Sequence, residues 1–408
     1  MAGPDAAAVE RAFRHGSGPA VATLTRLFGD LDVAEEAVQE AFVVAVERWR
    51  RDGVPPNPGG WIVTTARRKA LDRLRRESSR HRRQTEAAAL ARPDDGAGEV
   101  GAVRDDQLRL VFACCHPALA REAQVGLTLR LVAGLATDQI ARAFLVPEAT
   151  VAQRISRAKR KIRDAAIPYR VPEAWELPDR LPPVLSVLYL VFNEGYSASD
   201  GEHLVRTELC EEALRLARTL AELMPDEPEV LGLLALMVLV EARRPARVAP
   251  DGSPVLLTDQ DRARWDAALL DEGRAIVRAC LRRGRPGPYQ VQAAVNAVHA
   301  DAATWEDTDW AQIVALYDQL LALAPTPVVA LNRAVALAER DGPDAALEEV
   351  EALDPALAGY RPFHAARAEL LRRAGRDAEA RTAYAAARSL GANDAEASFL
   401  RSRWAELG

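Results

Sequence analysis

Apolar residues recur at spacings of three and four along almost the whole chain, and strict alternation is rare, a period that predicts helices rather than strands. The clearest stripes are Ala34, Val38, Ala41, Phe42 and Ala45, and Val151, Ile155, Ala158 and Ile162. Each falls on one side of a 3.6-residue helix. Proline and glycine punctuate these stretches. The pattern predicts an all-α protein in parts: a helical segment over 6–83, a linker over 84–104, a second helical segment over 105–166, a connection over 167–183, and a succession of helices over 184–408. Pro168, Pro172, Pro178, Pro182 and Pro183 predict that the connection is extended, because each disfavours helix at the residue before it. The longest apolar runs, 184–192 and 230–240, fall short of the ~17–25 residues a membrane-spanning helix needs.

The last part is weakly self-similar. Ala338-Glu339-Arg340-Asp341-Gly342-Pro343-Asp344-Ala345 echoes Leu371-Arg372-Arg373-Ala374-Gly375-Arg376-Asp377-Ala378 at an offset of 33 residues. A period near ~34 is that of tetratricopeptide helix pairs, although the aromatic positions of that consensus are mostly missing.

Composition changes this picture in one respect. At 408 residues, 49% apolar and 27% charged, the chain has ordinary globular values, which excludes wholesale disorder. The net charge of −6 conceals an asymmetry, since residues 1–170 sum to +7 and residues 171–408 to −13. A basic front ahead of an acidic rear points to a nucleic-acid-facing half joined to something else. The start of the chain shows no basic and apolar leader, and four cysteines make no disulfide framework, so a cytoplasmic protein is expected.

The charge is concentrated on two helices. Pro147 separates a short helix, for which Thr137 is the expected N-cap, from the helix carrying the Val151–Ile162 stripe. Opposite that stripe lie Thr150, Gln153, Arg154, Arg157, Arg160 and Lys161. A short helix, a tight turn and a second helix with exposed Gln and Arg suit a DNA-reading unit, with Gln able to pair with adenine, Arg with guanine, and the terminal Arg160 and Lys161 with phosphate. The bland reading is a solvated amphipathic helix. Upstream, Arg67, Arg68, Lys69, Arg73, Arg75, Arg76, Arg80, Arg82 and Arg83 are opposed only by Asp72 and Glu77. Trp61 precedes them, and an aromatic beside a basic helix suits a single strand, by stacking plus phosphate attraction; a core position is the other reading. Asp32 and Glu35 are expected to form a capping box for a helix reaching about Trp49. Asp32, Glu35, Glu36, Gln39 and Glu40 crowd its exposed half, and such a face either sits in solvent or meets a basic protein surface.

These segments resemble the extracytoplasmic-function (ECF, group IV) sigma factors of bacterial RNA polymerase. The stretch 32–42 (DVAEEAVQEAF) is similar to region 2.2, which in the family docks on the polymerase clamp helices. The stretch 60–76 (GWIVTTARRKALDRLRR) is similar to regions 2.3–2.4, which melt and read the −10 element. The helix–turn–helix falls where region 4, the −35 reader, should be. The resemblance implies core polymerase docking through Asp32, Glu35, Glu36, Gln39 and Glu40, and −10 engagement by Trp61, Arg67, Arg68, Arg73, Arg75 and Arg76. It implies −35 reading by Thr150, Gln153, Arg154, Arg157 and Lys161. At Arg68 many family members carry Asn, so phosphate contact is the expectation there. The stretches 191–197 (VFNEGYS), 287–294 (GPYQVQAA) and 313–320 (IVALYDQL) resemble the subgroup with a tetratricopeptide-like C-terminal extension, in which the extension is thought to control the sigma activity. Core RNA polymerase and promoter DNA are the expected partners, with a protein or signal on the rear helices and no membrane.

Other chemistry is set aside at this level. Cys114 and Cys115 are adjacent and lack the second pair a tetrahedral site needs, so no metal is expected. No nucleotide-binding or hydrolase motif occurs, and neither a cofactor nor an enzymatic activity is expected. Gly195 is expected to end its helix as a left-handed cap, with a small pocket lined by Asn193, Glu194 and Tyr196 as the alternative. A one-component helix–turn–helix regulator with a ligand- or peptide-binding rear domain remains the rival, and it gives the acidic helix no role.

Overall fold

The computed structural model describes residues 4–81, 100–143, 146–173, 175–197, 204–390 and 393–407, without side chains at 4–15, 76–81, 100–105, 142–143 and 223. Among these residues the secondary structure is helical, apart from one isolated bridge between Val248 and Pro254. Two compact units result, 1–190 and 191–408. The basic segments expected at 6–83 and 105–166 share the first unit. Most of the expected linker lies outside the described residues.

The first unit begins with α1 (Pro4–Phe28), α2 (Leu31–Asp52) and α3 (Pro58–His81). The N-cap of α2 is Asp30, whose carboxylate accepts from the Asp32 and Val33 amides at 2.8 and 3.1 Å. The capping box expected of Asp32 and Glu35 does not form, because both side chains are drawn elsewhere. Gly53, at φ 81°, ends the helix one turn beyond Trp49. Ala34, Val38, Ala41, Phe42, Ala45 and Trp49 are buried, so the sequence stripe is the core face of α2. Asn57 opens α3 by accepting from the Gly60 amide at 2.9 Å.

The second set comprises α4 (Val100–Cys114), α5 (Arg121–Leu127), a π-helical turn (Thr128–Val132), α6 (Thr137–Ala143) and α7 (Glu148–Asp164). Thr137 is the first residue of α6 rather than its cap. The Gln139 side chain reaches back instead to the Ala136 amide at 2.9 Å. Val151, Ile155, Ala158 and Ile162 are buried along α7.

Beyond α7 the chain is extended only for a few residues. Helix α8 (Leu177–Tyr196) contains Pro182 and Pro183, which corrects the expectation of an extended connection as far as residue 183. Pro178 sits in the first turn, where amides have no helical partner, and the next two prolines follow within about one further turn, so few ladder bonds are lost.

In the second unit α9 (Thr207–Leu223), α10 (Pro228–Glu241), α11 (Arg244–Arg247), α12 (Ala267–Arg283), α13 (Pro288–Asp301) and α14 (Trp310–Leu323) lead into α15 (Pro327–Asp341), α16 (Pro343–Ala352), α17 (Asp354–Leu357), α18 (Arg361–Arg373), α19 (Asp377–Ser389) and α20 (Asp394–Ala405). The 33-residue echo marks two equivalent turns: Gly342 (φ 96°) joins α15 to α16, and Gly375 (φ 72°) joins α18 to α19. Leu331, Leu347, Phe363, Leu371 and Tyr384 bury one continuous core along these hairpins. Gly195 does not cap α8, which runs on to Tyr196. A Cβ there would lie 2.7 Å from the Cys210 amide nitrogen, so the glycine permits close approach of α9. Glu194 pairs with Arg206 at 3.6 Å, and Arg247 stacks on Tyr196, so this motif is occupied by internal contacts. The Gly287-Pro288-Tyr289-Gln290 motif is the start of α13, where the Glu229 carboxylate of α10 accepts from the Tyr289 and Gln290 amides at 3.0 and 3.3 Å.

Candidate nucleic-acid interface

Helix α7 presents two polar sides beside its buried stripe. Opposite its buried stripe, Gln153, Arg154, Arg157 and Arg160 are exposed and Thr150 is half-buried. These residues make no ion pair among the described residues. A row of amide and guanidinium groups on an open helix face can enter a major groove. Lys161 lies on the same face, but its ammonium donates to the Ala118 carbonyl.

On its other flank α7 meets α2. The Lys159 ammonium donates to Asp32 Oδ1 at 2.9 Å and also to Glu35 Oε2. Arg163 Nη1 reaches Asp32 Oδ2 at 3.0 Å, and Arg130, from the π-helical turn, reaches Glu35 Oε1 at 2.6 Å. Burial raises the Asp32 carboxyl, but hydrogen bonds and charge from Lys159 and Arg163 outweigh it and hold the group below its ordinary value. Burial likewise works against the Lys159 ammonium, and Glu35 with Asp32 reverses that, leaving it raised. The acidic face of α2 therefore meets a basic protein surface belonging to its own chain. Lys159, Arg163 and Arg130 were not singled out in the sequence, since nothing local marks partners about a hundred residues away.

Two further acidic residues of α2 face α3. Glu36 pairs with Arg73, and Glu40 lies 3.7 Å from Lys69. Gln39 is exposed and donates to Glu35 at 3.0 Å. Arg68 and Arg75 are exposed and Arg67 half-buried; the side chain of Arg76 lies outside the described residues, as do Arg82 and Arg83. Trp61 is half-buried, its ring packed edge-on against buried Trp49 with centroids 5.5 Å apart. That contact fixes Trp61 at the start of the basic helix and leaves part of its ring accessible.

Cys114 and Cys115 are buried in the core, where burial pushes the Cys115 thiol up to about 12. Among the described residues no three His, Cys, Asp or Glu side chains converge on a metal-sized site. No described helix is long and apolar enough to cross a membrane.

Comparison with known proteins gives these surfaces a setting. Residues 13–80 match the family model for sigma-70 region 2, and residues 109–162 that for sigma-70 region 4. Residues 180–281 match DUF6596, a family of unknown function. The chain is 32% identical over 151 residues to the probable ECF RNA polymerase sigma factor SigI of Mycobacterium tuberculosis (strain CDC 1551 / Oshkosh), a match covering 35% of this chain and 50% of that protein. It is 27% identical over 170 residues to the ECF RNA polymerase sigma factor SigK of Mycobacterium bovis (strain BCG / Pasteur 1173P2), covering 40% of this chain and 88% of SigK. A likeness of 46% over 388 residues, 94% of this chain and 92% of the relative, joins it to the uncharacterized protein R00370 of Rhizobium meliloti (strain 1021). The chain thus belongs to one family with R00370, and it carries sigma-70 regions 2 and 4, domains of a non-enzymatic family, ahead of a helical extension.

Proposed function

We propose that the protein is an ECF-type sigma factor that brings core RNA polymerase to promoters and helps to open them, with its own C-terminal helices controlling that activity. Residues 6–83 serve as region 2, 84–104 as a tether and 105–166 as region 4. In this reading α2 meets the polymerase through Asp32, Glu35, Glu36, Gln39 and Glu40. Helix α3 engages the displaced strand around −10 through Trp61, Arg67, Arg68, Arg73, Arg75 and Arg76. Helix α7 addresses the −35 duplex through Thr150, Gln153, Arg154 and Arg157, with Lys161 at the phosphates. Binding energy to duplex and single strand shifts the closed-to-open equilibrium, and the polymerase performs the chemistry.

The observation that carries the reading is the open face of α7, with Gln153, Arg154 and Arg157 side by side within the segment that matches sigma-70 region 4. Run-off transcription with purified core polymerase on a promoter library tests it. Initiation from a defined subset of templates supports the assignment, and no association with core polymerase overturns it. Removal of residues 184–408 tests the control by the C-terminal helices, and unchanged promoter output after that truncation would withdraw it.

A further inference from the structure

We infer that α7 is a latch on α2, in which Lys159, Arg163 and Arg130 occupy the acidic pair Asp32 and Glu35 and hold off polymerase docking until α7 leaves. The inference rests on the sigma-factor reading and adds a regulatory state to it.

Three observations point the same way. Glu35 and Lys159 expose only 14% and 11% of their side chains, and Glu35 receives a second cation in Arg130. Opening the seam costs Glu35 both of its cations, so its release is favoured when another basic surface replaces them. A polymerase surface competing for α2 would supply one. The reading face of α7 points away from this seam and stays exposed, so closure masks docking and not duplex reading.

The seam also looks built to separate. Ion pairs join α2 and α7 beside a cavity of about 170 Å³ lined by polar and apolar residues alike, among them Asp32, Lys159, Leu31 and Ile162. Ion pairs of this kind give little net stability compared with apolar packing, so they specify the closed arrangement without locking it. The segment after α7 turns back at Ala166, a non-glycine at φ 47°, and the Tyr169 hydroxyl donates to the Ala22 carbonyl of α1 at 2.8 Å. That strap keeps α7 beside region 2. Where α1 meets the π-helical turn, the approach is so close that a Cβ on Gly18 would lie 2.1 Å from the Val132 carbonyl oxygen.

Population arithmetic sets the size of the effect. When the competent state is a fraction of the molecules, the apparent dissociation constant rises by the inverse of that fraction. A latch closed in nine molecules of ten therefore weakens core binding about tenfold.

Two variants of the full chain test the inference from opposite directions. The double variant Lys159→Ala/Arg163→Ala removes both α7 cations, leaving Arg130 on Glu35, without touching the proposed docking or DNA-reading residues. Gly18→Ala puts a methyl group into the close contact between α1 and the π-helical turn, which forces those two elements apart. The four native cysteines are buried, so thiols introduced at exposed Asp52 and Asp164 report the α2–α7 distance by energy transfer. Both variants are expected to lower the transfer and tighten binding to core polymerase about tenfold, with −35 duplex affinity within twofold of the parent. Equal core affinity for parent and variants overturns the latch and leaves the sigma reading standing, as does tighter binding with unchanged transfer. Folded, opened variants that bind no core polymerase overturn the sigma reading itself.

Discussion

The Lys159 ammonium of α7 lies 2.9 Å from Asp32 Oδ1 of α2, joining side chains 127 residues apart. Because Asp32 is held below the ordinary carboxylate range, its ionised form favours the folded, paired state. That contribution is complete above the unfolded carboxylate value and disappears as pH falls through the lower folded one. Lys159, raised above its ordinary value, acts in the opposite sense, contributing below about pH 10 and failing only in stronger alkali. The α2–α7 distance is therefore expected to stay constant from pH 5 to 9 and to lengthen below about pH 4. Energy transfer across a pH titration checks this, and Asp32→Asn should weaken closure already at neutral pH.

Arg154 and Lys161 share the exposed face of α7 but differ in freedom. Arg154 is exposed without an ion-pair partner among the described residues, whereas Lys161 donates to Ala118. Arg154→Ala is expected to cost about 1–3 kcal/mol on a cognate −35 duplex and little on unrelated duplex. Lys161→Ala should weaken all duplexes alike and reduce the salt slope by about one. Binding isotherms on matched and scrambled duplexes at several salt concentrations separate the two roles.

Glu36 offers a cleaner probe of polymerase docking than its neighbour Glu35. It is half exposed and, among the described residues, pairs with Arg73 on α3, outside the α2–α7 seam. Surface pairs of this kind are worth at most about 1 kcal/mol, so Glu36→Arg should leave the melting temperature nearly unchanged. Core polymerase affinity is expected to fall while −35 duplex affinity holds. Co-purification with core polymerase, run beside a thermal melt, checks both halves.

Periodicity made the helices legible, and it did so where apolar spacing was regular: the stripes of α2 and α7 are the buried faces the sequence predicts. The exposed polar row on α7 followed from the same count. What spacing does not carry is tertiary demand. Asp32 and Glu35 had the spacing of a capping box, yet three cations from distant segments claimed them and Asp30 took over the cap. Gly195 had the look of a helix end, but the need for close approach by α9 kept it inside α8. Pro182 and Pro183 suggested extended chain, and their nearness to a helix start made them tolerable.

His299 supplies a pH response confined to the C-terminal unit. It is buried on α13 between Trp305 and Trp310, with ring centroids 6.0 and 5.2 Å away, and its Nδ1 has no hydrogen-bond partner. Burial, then the charges of Arg243 and Arg262, push its pKa down to about 3. The folded unit therefore holds the neutral ring. Stability from this group is complete above about pH 6.5 and is lost as pH falls toward 3, by roughly 1.4 kcal/mol per pH unit once the unfolded histidine is protonated. The interval from pH 6.5 to 5 is where the His299 share is expected to show, and because burial also raises the Glu241 carboxyl in this unit, substitution of His299 is needed to isolate it. Amide exchange in α13 and α14 is expected to quicken over that interval in the parent protein. In His299→Phe, which keeps an aromatic ring against both tryptophans and has no proton to gain, exchange should stay flat. An equal response in the two proteins would place the titrating group elsewhere.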